Sequence, residues 1–233
     1  MASYPDARSD ATEVLVGPEA FLAGRAGGGG GASKAFAAGE RVAGAVLLLG
    51  LLPLLLLAAA VVWVLSRRSP LVAHERVGQG GKTFWMLKLR TMWGRGVRAG
   101  APRFVAERLQ AERVEAKRPD DPRVTSRFAA FCRKYSIDEL PQLWHVVEGR
   151  MSLVGPRPVT AQELWEHYGE AAREVLLYKP GLTGLWQIRG RSRLSYRQRR
   201  RLDLFLVRRW SPGLYFRILL STLPRILTAR DAW

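Results

Sequence analysis

The sequence is short of several things, and each shortage removes a class of protein. A single cysteine, Cys132, excludes an internal disulfide and suits a reducing compartment. Histidine is almost as scarce. His74, His145 and His167 stand far apart, no spacing resembles a zinc site, and each reads as structural or exposed. Acidic residues number 20 against 37 lysines and arginines, a net charge of +17 that calls for anionic partners. Nucleic acid, anionic lipid and phosphate-bearing substrates all qualify. No internal repeat is visible. Phosphate-loop chemistry is also missing: nothing suitable comes after the run Gly27 to Gly31, and Gly81-Lys82-Thr83 has Arg76 where that motif needs glycine.

Charge is absent altogether from residues 43–65, an apolar run long enough, at about 1.5 Å per residue, to cross a ~30 Å hydrocarbon core. It is too long for a cleaved signal peptide. Gly50 and Pro53 sit near its middle, where proline removes a backbone hydrogen bond and kinks a helix. Both flanks are basic, Lys34 and Arg41 before it, Arg67 and Arg68 after, and the positive-inside rule prefers both on the cytoplasmic side. An ordinary spanning helix and a helix that enters, bends at Pro53 and returns both fit. Before this run, residues 1–39 are rich in Ala, Gly and Ser and read as a disordered leader.

Residues 70–233 are enough for one modest domain. Leu71, Val72 and Val77, then Phe84 to Leu89, suit two strands joined at Gly78-Gln79-Gly80-Gly81. Lys88 and Arg90 then share one strand face, as edge charges or as part of a site. A polar stretch is expected to hold a helix near residues 103–117, broken by Pro119, with Asp120 to Thr125 forming turns and a second helix over residues 126–135.

The chain is organised around Ser136-Ile137-Asp138-Glu139-Leu140-Pro141-Gln142-Leu143-Trp144. Ser136 with Glu139 three residues on forms a capping box at a helix start. Leu140, Leu143, Trp144 and Val147 would be the buried face, with Asp138, Gln142 and His145 opposite and Glu148-Gly149 as the stop. The carboxylates suit the helix dipole and need mean nothing more. Alternatively, an ionised Asp138 beside a phosphate is a competent nucleophile. Pro156-Arg157-Pro158 holds an arginine on a nearly fixed backbone, which suits bidentate phosphate recognition or is an incidental turn. Residues 160–177 read as a helix and residues 179–187 as a structured, glycine-bearing loop. The last quarter forms basic amphipathic helices, with Leu202, Phe205, Leu206 and Trp210 on one stripe and Leu214, Ile218 and Leu219 on another, suited to a membrane interface.

These segments, in order from Arg41, resemble the bacterial sugar transferases: monotopic phosphoglycosyl transferases that begin exopolysaccharide, capsule and O-antigen assembly. The resemblance is carried by Pro53, Arg76-Val77-Gly78, Lys88-Leu89-Arg90-Thr91-Met92, Asp121 to Thr125, Asp138 to Gln142, Met151 to Pro158 and Lys179 to Gln187. Any one of these is weak, and the ordered set is specific. The resemblance implies a mainly α fold with a small β-hairpin, a re-entrant helix over residues 40–69 kinked at Pro53, and interfacial helices. It places the catalytic domain on the cytoplasmic face of the inner membrane.

By the same resemblance Asp138 is the nucleophile of an Asp-Glu dyad, Glu139 is its Mg²⁺-associated partner, and Arg157, Lys88 and Arg90 lie at substrate phosphate. The implied substrates are a UDP-sugar and undecaprenyl phosphate, with UMP released through a phosphosugar–Asp138 intermediate. Membrane lipids are the implied surroundings, no nucleic acid is expected, and a homodimer is compatible with the resemblance. Larger members carry several spanning helices and a further soluble domain, which nothing in these residues encodes. The competing class, a membrane-anchored basic protein that binds nucleic acid or anionic lipid without catalysis, rests on charge and lacks a recognition motif.

Overall fold

Hydropathy decides the first element. In a computed structural model, which describes residues 34–93, 107–109, 124–190 and 193–228, the apolar run forms α1 (Lys34–Ser66), 33 residues with Pro53 inside. It is long and apolar enough to cross a membrane. Helix starts at Lys34, so residues 34–39 belong to α1 and not to a leader; residues 1–33 lie outside the described residues. Most of α1 is exposed, with Val46, Leu49, Leu56 and Leu57 among its bare side chains, too much apolar surface to face water. Gly44, Ala58 and Val62 are its buried residues.

The hairpin forms as its pattern requires. β1 (Leu71–Val77) and β2 (Thr83–Leu89) pair antiparallel from Leu71↔Leu89 to Val77↔Thr83. The turn holds Gly80 and Gly81 at φ +69° and +80°, a left-handed backbone where side chains are strained. A third strand, β3 (Glu107–Leu109), runs parallel to β1, and it replaces part of the helix expected over residues 103–117. Pairing with a strand some 35 residues earlier is a long-range effect that local propensity does not report. The rest of that helix, Pro119 and Asp121-Pro122-Arg123 lie outside the described residues.

Ser126 caps α2 (Arg127–Lys134) by accepting from the Phe128 N–H at 3.1 Å, as its position predicts. The central segment then departs from expectation. Ser136 takes φ +57° and caps nothing, residues Ile137–Gln142 form a 3₁₀ turn, and α3 (Leu143–Glu148) comes next, ending at Gly149. The faces hold only in part. Leu143 is buried and Leu140 packs against the core as expected, but Asp138, Gln142 and His145 are buried too, while Trp144 is 48% exposed. Three residues per turn, with Pro141 inside, shift the register before α3 begins, so a 3.6 period drawn through the whole segment misplaces Asp138, Gln142, Trp144 and His145. The segment is also packed on both sides, against α1 and against β2.

β4 (Ser152–Val154) and β5 (Gly181–Thr183) pair in parallel. A Cβ at Gly155 would lie 2.5 Å from the Lys179 carbonyl oxygen, so only glycine permits this approach. The helix expected over residues 160–177 is interrupted. α4 (Ala161–Glu163) carries a Thr160–Glu163 capping box and passes into a π turn over Leu164–Tyr168. Gly169, at φ +52°, opens a 3₁₀ turn (Gly169–Ala171) before α5 (Ala172–Val175) resumes. α6 (Leu185–Ile188), α7 (Tyr196–Arg208) and α8 (Pro212–Thr228) complete the chain.

Two apolar clusters hold these parts. Phe84, Met86, Leu143, Met151, Leu206 and Ile218 belong to the first, against which Phe36, Leu48 and Leu51 of α1 pack, and Val77, Val159, Leu164 and Val175 to the second. Glu40 of α1 accepts through one oxygen from Ser152 Oγ, Leu153 N and Tyr215 Oη at 2.5, 3.0 and 2.6 Å, and Arg41 Nε donates to the Val147 carbonyl at 2.8 Å. At its other end, the Ser69 carbonyl accepts from Arg90 Nε at 2.8 Å. Both ends of the apolar helix are therefore tied to one domain. Replacing Glu40 with alanine strands the Leu153 N–H and the Tyr215 hydroxyl, while Ser152 Oγ keeps the Val154 carbonyl at 2.9 Å, and it is expected to lower stability by roughly 2–4 kcal/mol; denaturant titration in detergent measures this.

Candidate active site

Asp138 and Glu139 are presented by the 3₁₀ turn between α2 and α3, pressed between α1 and β2. Asp138 is 3% exposed, and its Oδ1 is buried without a hydrogen-bond partner. A buried, unpaired carboxylate oxygen is costly, and sites of chemistry are where proteins retain it. Beside it, Glu139 Oε1 meets Lys88 Nζ at 3.2 Å, a partly buried ion pair. The alternation of β2 thus brings Lys88 to the dyad. Lys88 pairs in register with Val72, one face with His74 and Arg76. Arg90, just past the strand, is 4% exposed and bonded to Ser69, so it clamps the exit from α1.

Two groups beneath the turn have altered acidity. The His145 Nε2 accepts from the Leu87 N–H at 3.0 Å, so Nδ1 carries the proton and donates to Glu148 Oε2 at 3.1 Å. Burial holds its pKa below 6.5 despite Glu148, and the neutral ring fastens α3 to β2. Cys132 is raised to about 11 by burial and then by the Asp138 charge. Such a thiol is inert at neutral pH.

Arg157 lies in a second cluster, and no described hydrogen bond or ion pair joins it to Asp138 or Glu139. Its guanidinium rests over the Trp186 ring at 5.1 Å, and its Nε is buried without an acceptor. An arginine stacked on an aromatic with its forked donors unspent is prepared for an oxyanion. The two clusters are linked along one sheet face. Burial first, and then Arg76, Lys88 and Arg90, depress His74 to about 4, while burial lowers Arg76 to about 10 against the pull of Glu163, with Arg157 lowering it further. A line of positive charge thus runs from the dyad to Arg157.

Sequence reading missed His74, Arg76, Glu163, Trp186 and Asp203 as parts of this surface. The period-two spacing of His74, Arg76, Lys88 and Arg90 was the one available signal. A cavity of about 150 Å³ lined by Phe36, Glu40, Tyr178, Trp210 and Tyr215 lies at the start of α1 and includes none of the dyad residues. Among the described residues no group of three or more His, Cys, Asp or Glu could hold a metal.

A helix long and apolar enough to cross a membrane, fused to a domain that sets an acidic pair beside a basic strand, is an arrangement suited to an enzyme that handles phosphate at a lipid surface. Comparison with known proteins agrees. The family described as bacterial sugar transferase matches residues 34–229. The exopolysaccharide production protein ExoY of Sinorhizobium fredii is 40% identical over 192 residues, covering 81% of this chain and 84% of that protein. A UDP-galactose-lipid carrier transferase of Erwinia amylovora is 39% identical over 204 residues, 83% of this chain but 41% of its own length. The undecaprenyl-phosphate galactose phosphotransferase of Salmonella typhimurium is 38% identical over 167 residues, 69% of this chain and 34% of that protein. The chain belongs to the bacterial sugar transferase family, and it is an enzyme of the phosphoglycosyl transferase type.

Asp203 gives the site a pH signature. Burial raises its pKa to about 6, against the lowering effects of Tyr168 and Arg157. An unfolded aspartate ionises near 3.8, so between these values the folded state holds a proton that the unfolded state has lost. Stability from this group therefore falls as pH rises from about 4 to about 6. Asp203→Asn should flatten that part of the stability profile relative to the wild type, as denaturation midpoints in detergent at pH 4.5 and 6.5 would show.

Proposed function

We propose that the protein transfers a sugar 1-phosphate from a UDP-sugar to undecaprenyl phosphate, as the first membrane step of exopolysaccharide or related glycoconjugate synthesis. The observation that carries this reading is Asp138, a buried carboxylate with an unpaired oxygen, held beside the Glu139–Lys88 pair on a turn packed against α1. The relatives' names supply the substrate class.

The transfer takes two steps. An Asp138 oxygen attacks the sugar-linked phosphorus, the bond to the bridging oxygen breaks, and UMP leaves with that oxygen. A phosphate oxygen of undecaprenyl phosphate then attacks the same phosphorus and frees the Asp138 carboxylate, leaving a diphosphate-linked sugar. Such transfers depend mainly on positioning and neutralising charge. Lys88 keeps Glu139 oriented and adds positive charge, and the unspent donors of Arg157 suit a phosphate oxygen.

The Asp138–Glu139 pair offers hard oxygen ligands that fit Mg²⁺, which keeps water and substrate phosphates in its shell and needs few protein groups. Glu139 would hold the ion, and when bound it supplies further neutralisation of the transferring phosphoryl group.

Topology belongs to the same proposal. Contacts of Glu40 and Arg41 near one end of α1, and of Ser69 just past the other, with the same domain support a helix that enters and leaves the bilayer on one side, bending at Pro53. The basic flanks favour the cytoplasmic face for that side. α8 leaves Phe216, Leu220, Leu223 and Leu227 exposed at helical spacing, a stripe suited to lipid.

Asp138→Asn should lower UMP release by more than about 10³-fold with folding intact, since the isosteric amide is a poor nucleophile. Retained turnover would sink the covalent route. For topology, Cys132 is buried and inert, so cysteines placed at the exposed positions 34 and 67 can be labelled in an otherwise unmodified chain. Both should react from the cytoplasmic side, and labelling of position 34 from outside would make α1 a spanning helix.

A further inference from the structure

Asp203 is fully buried on α7, a helix otherwise rich in arginine. Its Oδ1 accepts from the Arg157 N–H at 3.2 Å, and its Oδ2 from the Tyr168 hydroxyl at 2.7 Å. The first bond has a particular meaning in this sequence. Proline has no N–H, so across Pro156-Arg157-Pro158 the Arg157 amide is the only main-chain donor. The surrounding chain is tied by backbone alone: Gly155 N to Thr183 O at 2.9 Å, Gly181 N to Pro156 O at 2.8 Å, and Val77 N to Val159 O at 2.9 Å. At the centre of the loop the tie is a side chain from 46 residues further on.

A carboxylate so placed does not serve stability. Removing it from water is expensive, and a buried charge with few partners is a poor source of folding energy. What it controls is direction. The Arg157 amide fixes how the residue leaves the loop, and the guanidinium then lies over Trp186 with Nε unspent. We propose that Asp203 is a positioning residue that aims Arg157 at substrate phosphate by holding its main-chain N–H, with Tyr168 fixing the carboxylate in turn. This rests on the phosphate-binding role proposed for Arg157.

The test is a double-mutant cycle on the full chain in detergent, reading kcat and KM for UMP release. Asp203→Leu removes the acceptor. It should lower kcat/KM by about 10- to 100-fold, the loss expected when a reacting group is misplaced by about 1 Å. Asp203→Asn keeps an acceptor for the Arg157 N–H and should stay within about fivefold of wild type. In an Arg157→Ala background, Asp203→Leu should cost less than about twofold more, because the group through which it acts is gone. Should Asp203→Leu fail to fold, Asp203→Ala takes its place in the same cycle.

A loss as large in the Arg157→Ala background as in the wild type overturns the proposal, since Asp203 would then act on the fold or another group. Wild-type kcat/KM in Asp203→Leu, or an Asp203→Asn variant as impaired as Asp203→Leu, overturns it too. If Arg157→Ala alone is silent, the phosphate role of Arg157 fails first, and this inference with it.

Discussion

The contact on which the rest depends is the close passage of α1 over α3. A Cβ at Gly44 would lie 2.9 Å from Val146 Cγ1, so the absence of a side chain lets the membrane helix rest directly on the segment that carries the dyad. On the other side of that segment, the His145 ring receives the Leu87 N–H and fixes it to β2. Asp138 and Glu139 are thus held between a helix that belongs in lipid and a strand that carries Lys88. A soluble nucleotide sugar and a lipid phosphate can meet at such a place without either crossing the membrane.

Charge is arranged with the same economy. The positive groups of the active face line one side of a two-stranded hairpin, from Lys88 past His74 to Arg76, and continue to Arg157. On that same side Phe84 and Met86, opposite Arg76 and His74, pack into the core, so the cations are held at the edge of a buried face. Burial first, and then the neighbouring cations, keep His74 neutral, which leaves the two carboxylates as the negative centre beside a positive surface. The interior carboxylate Asp203 does the opposite task, orienting one cation from behind.

The hairpin and the apolar helix were legible, because each rests on a local signal: a glycine turn and a run without charge. The central turn was found but its shape was misread. Ser136 to Glu139 has the spacing of a capping box, yet Ser136 is left-handed and the turn is 3₁₀, which exchanges the buried and exposed faces of Asp138, His145 and Trp144. β3 escaped notice because its stability lies in a distant parallel partner, and Gly169 divided a run whose composition reads as helix. Asp203 could not have been singled out, since an aspartate in a basic helix reads as a surface charge until the tertiary fold buries it against Arg157. Its partner is 46 positions away.

The central claim is that Asp138 itself carries the phosphosugar between donor and acceptor. Intact-mass and peptide-level analysis of the purified protein, incubated with a UDP-sugar and Mg²⁺ but without lipid acceptor, tests it directly. A mass increase of one sugar phosphate on the peptide containing Asp138, discharged when undecaprenyl phosphate is added, is the expected result. UMP released only when acceptor is present, with no adduct on any peptide, would contradict the account and indicate direct transfer between the two substrates.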